Sequence, residues 1–178
     1  MGCITTLGLA AGSACPPPTA GLREGYIWIG NASEITFTGG TNKLYTDITM
    51  ASGKVLFRLN VHKKGLNLTD EFAEDDTTGS RSWTTRFPFR ILDRSAAAAN
   101  FIETLGTEIV LFVEGKNGKI MVAGSDSPLR LVENTSGYDT GDFGESVVLG
   151  NDDGAKPWQI LDTDLETTRA ILVAAETA

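Results

Sequence analysis

One short alanine-rich segment sits among stretches that alternate like strands, and that contrast constrains the fold more than any other feature. Arg94, Ser95, Ala96–Ala99, Asn100, Phe101, Ile102, Glu103 and Leu105 lead to a stop at Gly106. Alanine gives up no side-chain entropy in a helix, and glycine tolerates the backbone that ends one, so this stretch predicts an α-helix over about residues 94–105. Ala98, Phe101, Ile102 and Leu105 recur at helical spacing, as expected of a helix that covers one face or end of a sheet. After it, Glu108-Ile109-Val110-Leu111-Phe112-Val113-Glu114, Lys116-Asn117-Gly118-Lys119 and Ile120-Met121-Val122-Ala123 read as strand, Asn-Gly turn and strand. The expected class is mainly β, with one flanking helix.

The remaining chain divides by its turn residues. Residues 1–24 read as an extended N-terminal arm, stiffened by Cys15-Pro16-Pro17-Pro18, and residues 25–178 as a single β-rich domain. Tyr26–Ile29 opens the body. Glu34–Thr38 and Leu44–Met50 are further strands, the first ending at Gly39-Gly40 and the second at Ser52-Gly53. Lys54–His62 alternates most regularly, with Val55, Phe57, Leu59 and Val61 on one face. Its expected partner is Trp83–Ile91, where Trp83, Thr85, Phe87, Phe89 and Ile91 form the apolar face. Pro88 lacks a ladder donor, so this second strand belongs at an edge or bulges. Residues 63–82 between them read as a long acidic loop. Leu129–Glu133 and Ser146–Gly150 are strands around a glycine-rich stretch, and Asn151-Asp152-Asp153-Gly154 is a turn. Glu166–Glu176 fits either a last strand or a short helix.

Composition narrows the function classes. The chain has 178 residues and a net charge of -8, which favours solubility and opposes wrapping nucleic acid by charge neutralisation. No apolar run approaches the roughly 20 residues of a membrane-spanning helix. Met1-Gly2-Cys3-Ile4-Thr5-Thr6 fits an acylation pattern, and Leu7–Ala11 before Cys15 has a lipoprotein flavour, but no basic residue precedes the short apolar stretch. Two cysteines do not make a disulfide framework in a chain this long, so free thiols are expected. The Asn-x-Ser/Thr sites at Asn31, Asn67 and Asn134 are of a frequency that composition alone produces.

No catalytic set emerges. The single histidine, His62, has no partner motif, and there is neither zinc-ligand spacing, nor a nucleophile elbow, nor a phosphate-binding loop. Asp139-Thr140-Gly141 is a lone triplet in turn-forming surroundings, and Asn151–Gly154 lacks the distal glutamate of a calcium loop. The expectation is a non-enzyme with no catalytic, metal or cofactor site and no small-molecule substrate. The charge pattern instead points to assembly. Asp70, Glu71, Glu74, Asp75 and Asp76 cluster in the acidic loop, while Arg58, His62, Arg86 and Arg90 share the expected outward face of the two flanking strands. Between copies the two sets would complement each other.

Several motifs taken together resemble small virion proteins of the tail-tube group from bacteriophages that infect Bacteroidetes. They are Cys15-Pro16-Pro17-Pro18 through Gly21 into Tyr26–Ile29, Ile91-Leu92-Asp93 before the helix, Val110–Glu114, Asn117-Gly118-Lys119, Gly124 to Leu129, and Ser136-Gly137 to Gly141-Asp142. The resemblance spans nearly the whole chain. It implies a β-sandwich or rolled sheet with one flanking helix, closed homo-oligomeric rings, most simply hexamers, and a long loop that bridges stacked rings. It also implies contact with other virion proteins, a hollow conduit through which DNA passes without specific binding, a place in the virion tail, and synthesis in the host cytoplasm. It carries over no catalytic residues. One departure is the basic outward strand face, which suits an inter-subunit surface better than a DNA conduit. The competing expectation is a secreted or periplasmic β-sandwich binding module.

Overall fold

The computed structural model describes residues 21–41, 43–59, 61, 66–74, 81–91, 100–101, 103, 105, 108–139, 142–154 and 157–177. Eleven strands and one helix of these residues follow in chain order: β1 (Leu22–Asn31), β2 (Ile35–Thr41), β3 (Leu44–Met50), β4 (Phe57–Arg58), β5 (Thr69–Glu74), β6 (Arg81–Ile91), β7 (Ile109–Gly115), β8 (Ile120–Ala123), β9 (Arg130–Asp139), β10 (Asp142–Gly154), β11 (Trp158–Ile160) and α1 (Leu165–Ala174). They form a seven-stranded sheet ordered β2-β3-β11-β8-β7-β1-β4 and a four-stranded sheet ordered β5-β6-β10-β9. The chain is thus mainly β, a sandwich of two sheets with a flanking helix.

Strand β7 explains the layering. Its run Ile109-Val110-Leu111-Phe112-Val113-Glu114 is buried at every position, and alternate side chains enter different cores. Ile109, Leu111 and Val113 meet Ile27 and Ile29 of β1, and Phe87, Phe89, Val147 and Leu149 of the smaller sheet. Val110 and Phe112 meet Trp28, Ile48, Ile120, Val122 and Ile160, together with Leu172 of α1. The larger sheet is therefore the middle layer, with the four-stranded sheet on one side and α1 on the other.

Turn chemistry sets the local register. Gly118 takes φ +75°, open to glycine at little cost, while Asn117 Oδ1 accepts from the Lys119 amide at 3.1 Å, so the Asn-Gly turn folds β7 onto β8 as its residues require. The two sheets are joined where Ile109 and Leu129 exchange backbone hydrogen bonds of 2.9 and 2.8 Å. Asn151, buried in β10, donates from Nδ2 to Ser127 O at 2.9 Å, Ser127 Oγ at 2.6 Å and Pro128 O at 3.1 Å, pinning the crossover between the sheets.

Several sequence expectations are corrected. β1 begins at Leu22, so Leu22–Glu24 belong to a strand and not to the arm; residues 1–20, with both cysteines and the acylation pattern, lie outside the described residues. Among its described residues, the regular-looking Lys54–His62 is a strand only at β4, which pairs with β1 and not with β6. Leu56 is buried and Phe57 exposed, the reverse of the alternation, because the Leu56 amide donates to Ala175 O at 2.8 Å and that segment seats under α1. His62 is outside the described residues. The acidic loop is interrupted by β5, whose residues Thr69–Glu74 pair antiparallel with Arg81–Arg86 of β6. Asn151–Gly154 is not a turn. It continues β10 through a register shift.

Other expectations hold or are refined. β6 lies inside its sheet, but β5 pairs only up to Arg86, so Pro88 falls on the half of β6 whose described partner is β10 alone. The C-terminal segment resolves to helix, with Asp164 as N-cap accepting from the Thr167 amide at 2.8 Å. Of the expected helix over 94–105, Asn100, Phe101 and Glu103 are helical, and the Leu105 amide donates to Phe101 O at 3.0 Å; residues 92–99, 102 and 104 lie outside the described ones. Phe101 and Leu105 pack on the core between the sheets, as their spacing predicts.

Phe112 fills the core beneath α1 with no exposure, so Phe112→Ala should lower unfolding free energy by about 3–5 kcal/mol. Half-buried Phe101→Ala should cost less. Urea denaturation of the two variants tests the order: an equal loss would mean that the helical segment at Phe101 carries as much of the core as β7.

Candidate functional site

The four-stranded sheet gathers most of the charged residues singled out from the sequence. Asp70, Glu71 and Glu74 sit on β5 and Arg86 and Arg90 on β6, while Asp75 and Asp76 lie outside the described residues. The register brings acids and arginines into one hairpin: Thr69 pairs with Arg86, Asp70 with Thr85, Glu71 with Thr84 and Phe72 with Trp83. Residues directly opposite share a face. Asp70 and Phe72 therefore lie on the core-facing side with Thr85 and Trp83, and Glu71 lies on the outer side with Thr84. Of these acids only Glu71 shares the outer face with Arg86, as its diagonal neighbour, while Arg90 lies beyond the end of β5 and pairs with Ser146 of β10.

Arg58 stands apart from this group. It lies on β4 in the larger sheet, where its Nε and Nη2 donate to Glu176 Oε1 at 2.8 and 2.6 Å. The same oxygen accepts from Trp28 Nε1 at 2.6 Å, and the Arg58 guanidinium lies 5.4 Å from the centroid of the Trp28 ring. Arg58 ties the end of α1 to the sheet, so its grouping with Arg86 and Arg90 on a common face is overturned. Nothing local in the sequence marks a contact between residues so far apart in the chain.

Within the small sheet, Arg86 lies across Gly150 of β10 and donates from Nη1 to Thr85 O at 3.1 Å and Asn151 O at 3.2 Å. A Cβ at Gly150 would stand 2.7 Å from Arg86 Nη1 and 2.9 Å from the Thr85 carbonyl, so the guanidinium occupies space that only glycine leaves open. The outer face combines Arg86, Arg90 and Arg130 with Glu71, Glu133, Thr84 and Ser146, a mixed face instead of a uniformly basic one. On the inner side, Thr85 is buried and donates to Asp70 Oδ1 at 3.0 Å. Two residues further out, the core has ended. Phe72 is 49% exposed, and its ring centroid lies 5.3 Å from that of Trp83.

The sheet's two outer strands are β5 and β9, and each has a described strand on one side only. β9 extends over ten residues, pairs with β10 up to Asp139↔Asp142, and carries Val132, 38% exposed, at a register shift. The lone Asp139-Thr140-Gly141 triplet thus falls at a hairpin end, with residues 140 and 141 outside the described ones. Phe72 and Val132 were not singled out from the sequence. Phe72 stands among acids that read as loop, and no alternation in Asp70-Glu71-Phe72-Ala73-Glu74 marks a strand.

A separate charged cluster holds α1. Glu114, with no exposed side-chain surface, accepts from Arg169 Nε at 2.6 Å and Nη2 at 2.5 Å and from Arg23 Nη1 at 2.8 Å. Arg169 also pairs with Glu166, and both arginines lie over the Tyr26 ring, at 4.9 and 5.1 Å. Burial alone would raise the Glu114 pKa. The hydrogen bonds and charges of Arg169 and then Arg23 outweigh it and hold the carboxyl below its ordinary value of 4.5. Among the described residues, no group of three His, Cys, Asp or Glu is placed to hold a metal ion, and no helix is long and apolar enough to cross a membrane. Compared with known proteins, the chain matches no protein-family model and no curated protein.

The Glu114 cluster sets an acid dependence. A carboxyl whose folded pKa is depressed contributes stability that is complete above its unfolded pKa and is lost as pH falls through the folded one. Glu114→Gln removes the charge but leaves half-buried Arg169 without its main partner, and should cost on the order of 3 kcal/mol at pH 7. Below about pH 4 the difference from the unaltered chain should shrink. A gap that stays constant from pH 7 down to pH 3 would show that the charge of Glu114 is not what holds α1.

Proposed function

We propose that this chain is a virion structural protein of a bacteriophage, a tail-tube or tail-completion component. Copies join into closed rings, most simply hexamers, that stack around a conduit through which DNA passes without specific binding. The protein would be made in the host cytoplasm and end in the virion tail, in contact with other virion proteins. In this reading it catalyses nothing.

The observation that carries the reading is the four-stranded sheet whose two outer strands each have one neighbour among the described residues. All three of its pairings are antiparallel, so β5 and β9 run in opposite directions. When one copy is rotated beside the next, β5 of the first meets β9 of the second antiparallel, the same pairing that builds the sheet within a copy. An exposed edge invites pairing and must be covered, charged or closed. Head-to-tail joining removes both edges of the four-stranded sheet once the rotation closes, which makes a ring the natural end state for that sheet. The charged and polar outer face of the sheet suits a wet surface, and the motif resemblance agrees with this assembly. Neither feature calls for a ligand pocket, and the secreted binding-module reading has no observation of its own in the fold.

Native mass spectrometry and electron microscopy of the purified chain test the proposal. Rings of one defined copy number, stacking into tubes as concentration rises, are the expected result. A chain that stays strictly monomeric at high concentration and enters no larger particle overturns it.

A further inference from the structure

The turn between β7 and β8 holds the only Asn-Gly pair in the chain, Asn117-Gly118. Asparagine before glycine is chemically unstable in an unfolded peptide. The glycine nitrogen, with no side chain beside it to hinder approach, loses its proton and attacks the asparagine Cγ. That bond closes a five-membered succinimide and expels the side-chain nitrogen as ammonia. Water then opens the ring at either carbonyl and leaves aspartate or isoaspartate. Asn117 is exposed, so water and base reach it freely.

The fold withholds the geometry that this reaction needs. The Gly118 amide donates to Gly115 O at 3.0 Å, and the Gly115 amide donates to Lys119 O at 2.8 Å. A turn closed in this way places its second central residue, here Asn117, at ψ of about 0°. Bringing the Gly118 nitrogen into line with Cβ for ring closure demands a rotation of roughly 120° about that bond, which breaks the Gly118–Gly115 hydrogen bond. The side chain is lodged as well. Asn117 Oδ1 accepts from the Lys119 amide at 3.1 Å, and a Cβ on Gly115 would stand only 2.5 Å from the same oxygen. The carboxamide therefore fills space that glycine at 115 leaves open. The Lys119 N–H also polarises the carboxamide toward attack, as a donor to a developing oxyanion does. That helps only a nucleophile within reach. The turn keeps the Gly118 proton engaged and the nitrogen out of line, so protection prevails.

We propose that Asn117 is a latent modification site, inert while the β7–β8 hairpin is closed and converted to aspartate and isoaspartate once it opens. The conversion runs one way. Isoaspartate adds a main-chain methylene inside a turn closed by two short hydrogen bonds. A chain so altered loses the closure that sets Glu114 opposite Ile120, and with it the register of the strand that both cores share. Aspartate at 117 keeps both the normal backbone and the side-chain acceptor. The turn thus marks chains that have been unfolded for long.

The full chain, incubated at mildly alkaline pH either folded in buffer or unfolded in guanidinium, tests this by mass spectrometry of the peptide containing Asn117. Asn117 should react at least about tenfold more slowly in the folded chain. Gly115→Ala places a Cβ against the carboxamide and against neither core, and its fold is checked by circular dichroism. In its folded state Asn117 should react faster than in the unaltered folded chain. After partial reaction in guanidinium and dilution, the refolded fraction should hold asparagine and aspartate at 117 and be depleted of isoaspartate, with Asn117→Asp refolding normally as the control. Equal rates in folded and unfolded chains overturn the lock, and no reaction in the unfolded chain overturns the latent reactivity. An unchanged rate in Gly115→Ala overturns the carboxamide's share of the lock. Isoaspartate as frequent in the refolded fraction as before dilution overturns the one-way mark.

Discussion

The fold depends on one strand being buried on both faces. β7 carries five consecutive apolar residues and then Glu114, and its alternation sends Ile109, Leu111 and Val113 into one core and Val110 and Phe112 into the other. A strand with a single polar face would serve a two-layer sandwich. A strand with none requires a layer on each side. The four-stranded sheet supplies one cover and α1 the other. The side chains of β1 and β8 follow the same rule, with Ile27 and Ile29 on one side of the middle sheet and Trp28, Ile120 and Val122 on the other.

The same constraint explains why the end of β7 is ionic. Glu114 continues the buried strand beyond the apolar run, where α1 crosses, and a buried carboxylate is tolerated only if it is paired and hydrogen-bonded. Arg169 from α1 and Arg23 from β1 meet it together, so one carboxylate links the first strand, the middle strand and the last helix. At the other end of α1, Glu176 performs the matching task with Arg58 and Trp28. The helix is thus held by apolar contacts of Leu172 and Ala175 between two charged fastenings. Such fastenings add orientation more than net stability, because desolvation offsets much of the attraction.

The four-stranded sheet is the less self-contained layer. Its inner face covers one core with Phe87, Phe89, Val147 and Leu149, but β5 and the outer part of β6 extend past that core, where the Phe72 ring lies against Trp83. Its two outer strands run in opposite directions and each has one described neighbour. Each of these outer strands carries one exposed apolar side chain, Phe72 on β5 and Val132 on β9.

Periodicity and turn chemistry by themselves determined that this chain is mainly β, where the Asn-Gly hairpin of β7 and β8 turns, that β1, β3 and β9 exist, and that Phe87 and Phe89 face inward. These properties depend on residues adjacent in sequence or two apart, so local patterns reveal them. Tertiary structure decided the rest. Lys54–His62 has the alternation of a long strand, yet among its described residues only Phe57 and Arg58 form one, because Leu56 is drawn beneath a helix more than a hundred positions later. Thr69–Glu74 reads as a loop from its acids, yet it is a strand, because pairing with β6 outweighs a weak intrinsic preference. Glu166–Glu176 could be strand or helix until the exposed face of the middle sheet required a cover of helical shape. The charged residues were visible as candidates, but whether Arg58 sits with Arg86 or with Glu176 is a question of which sheet each strand joins. No local pattern encodes that choice, because it is made by the packing of the two cores around β7.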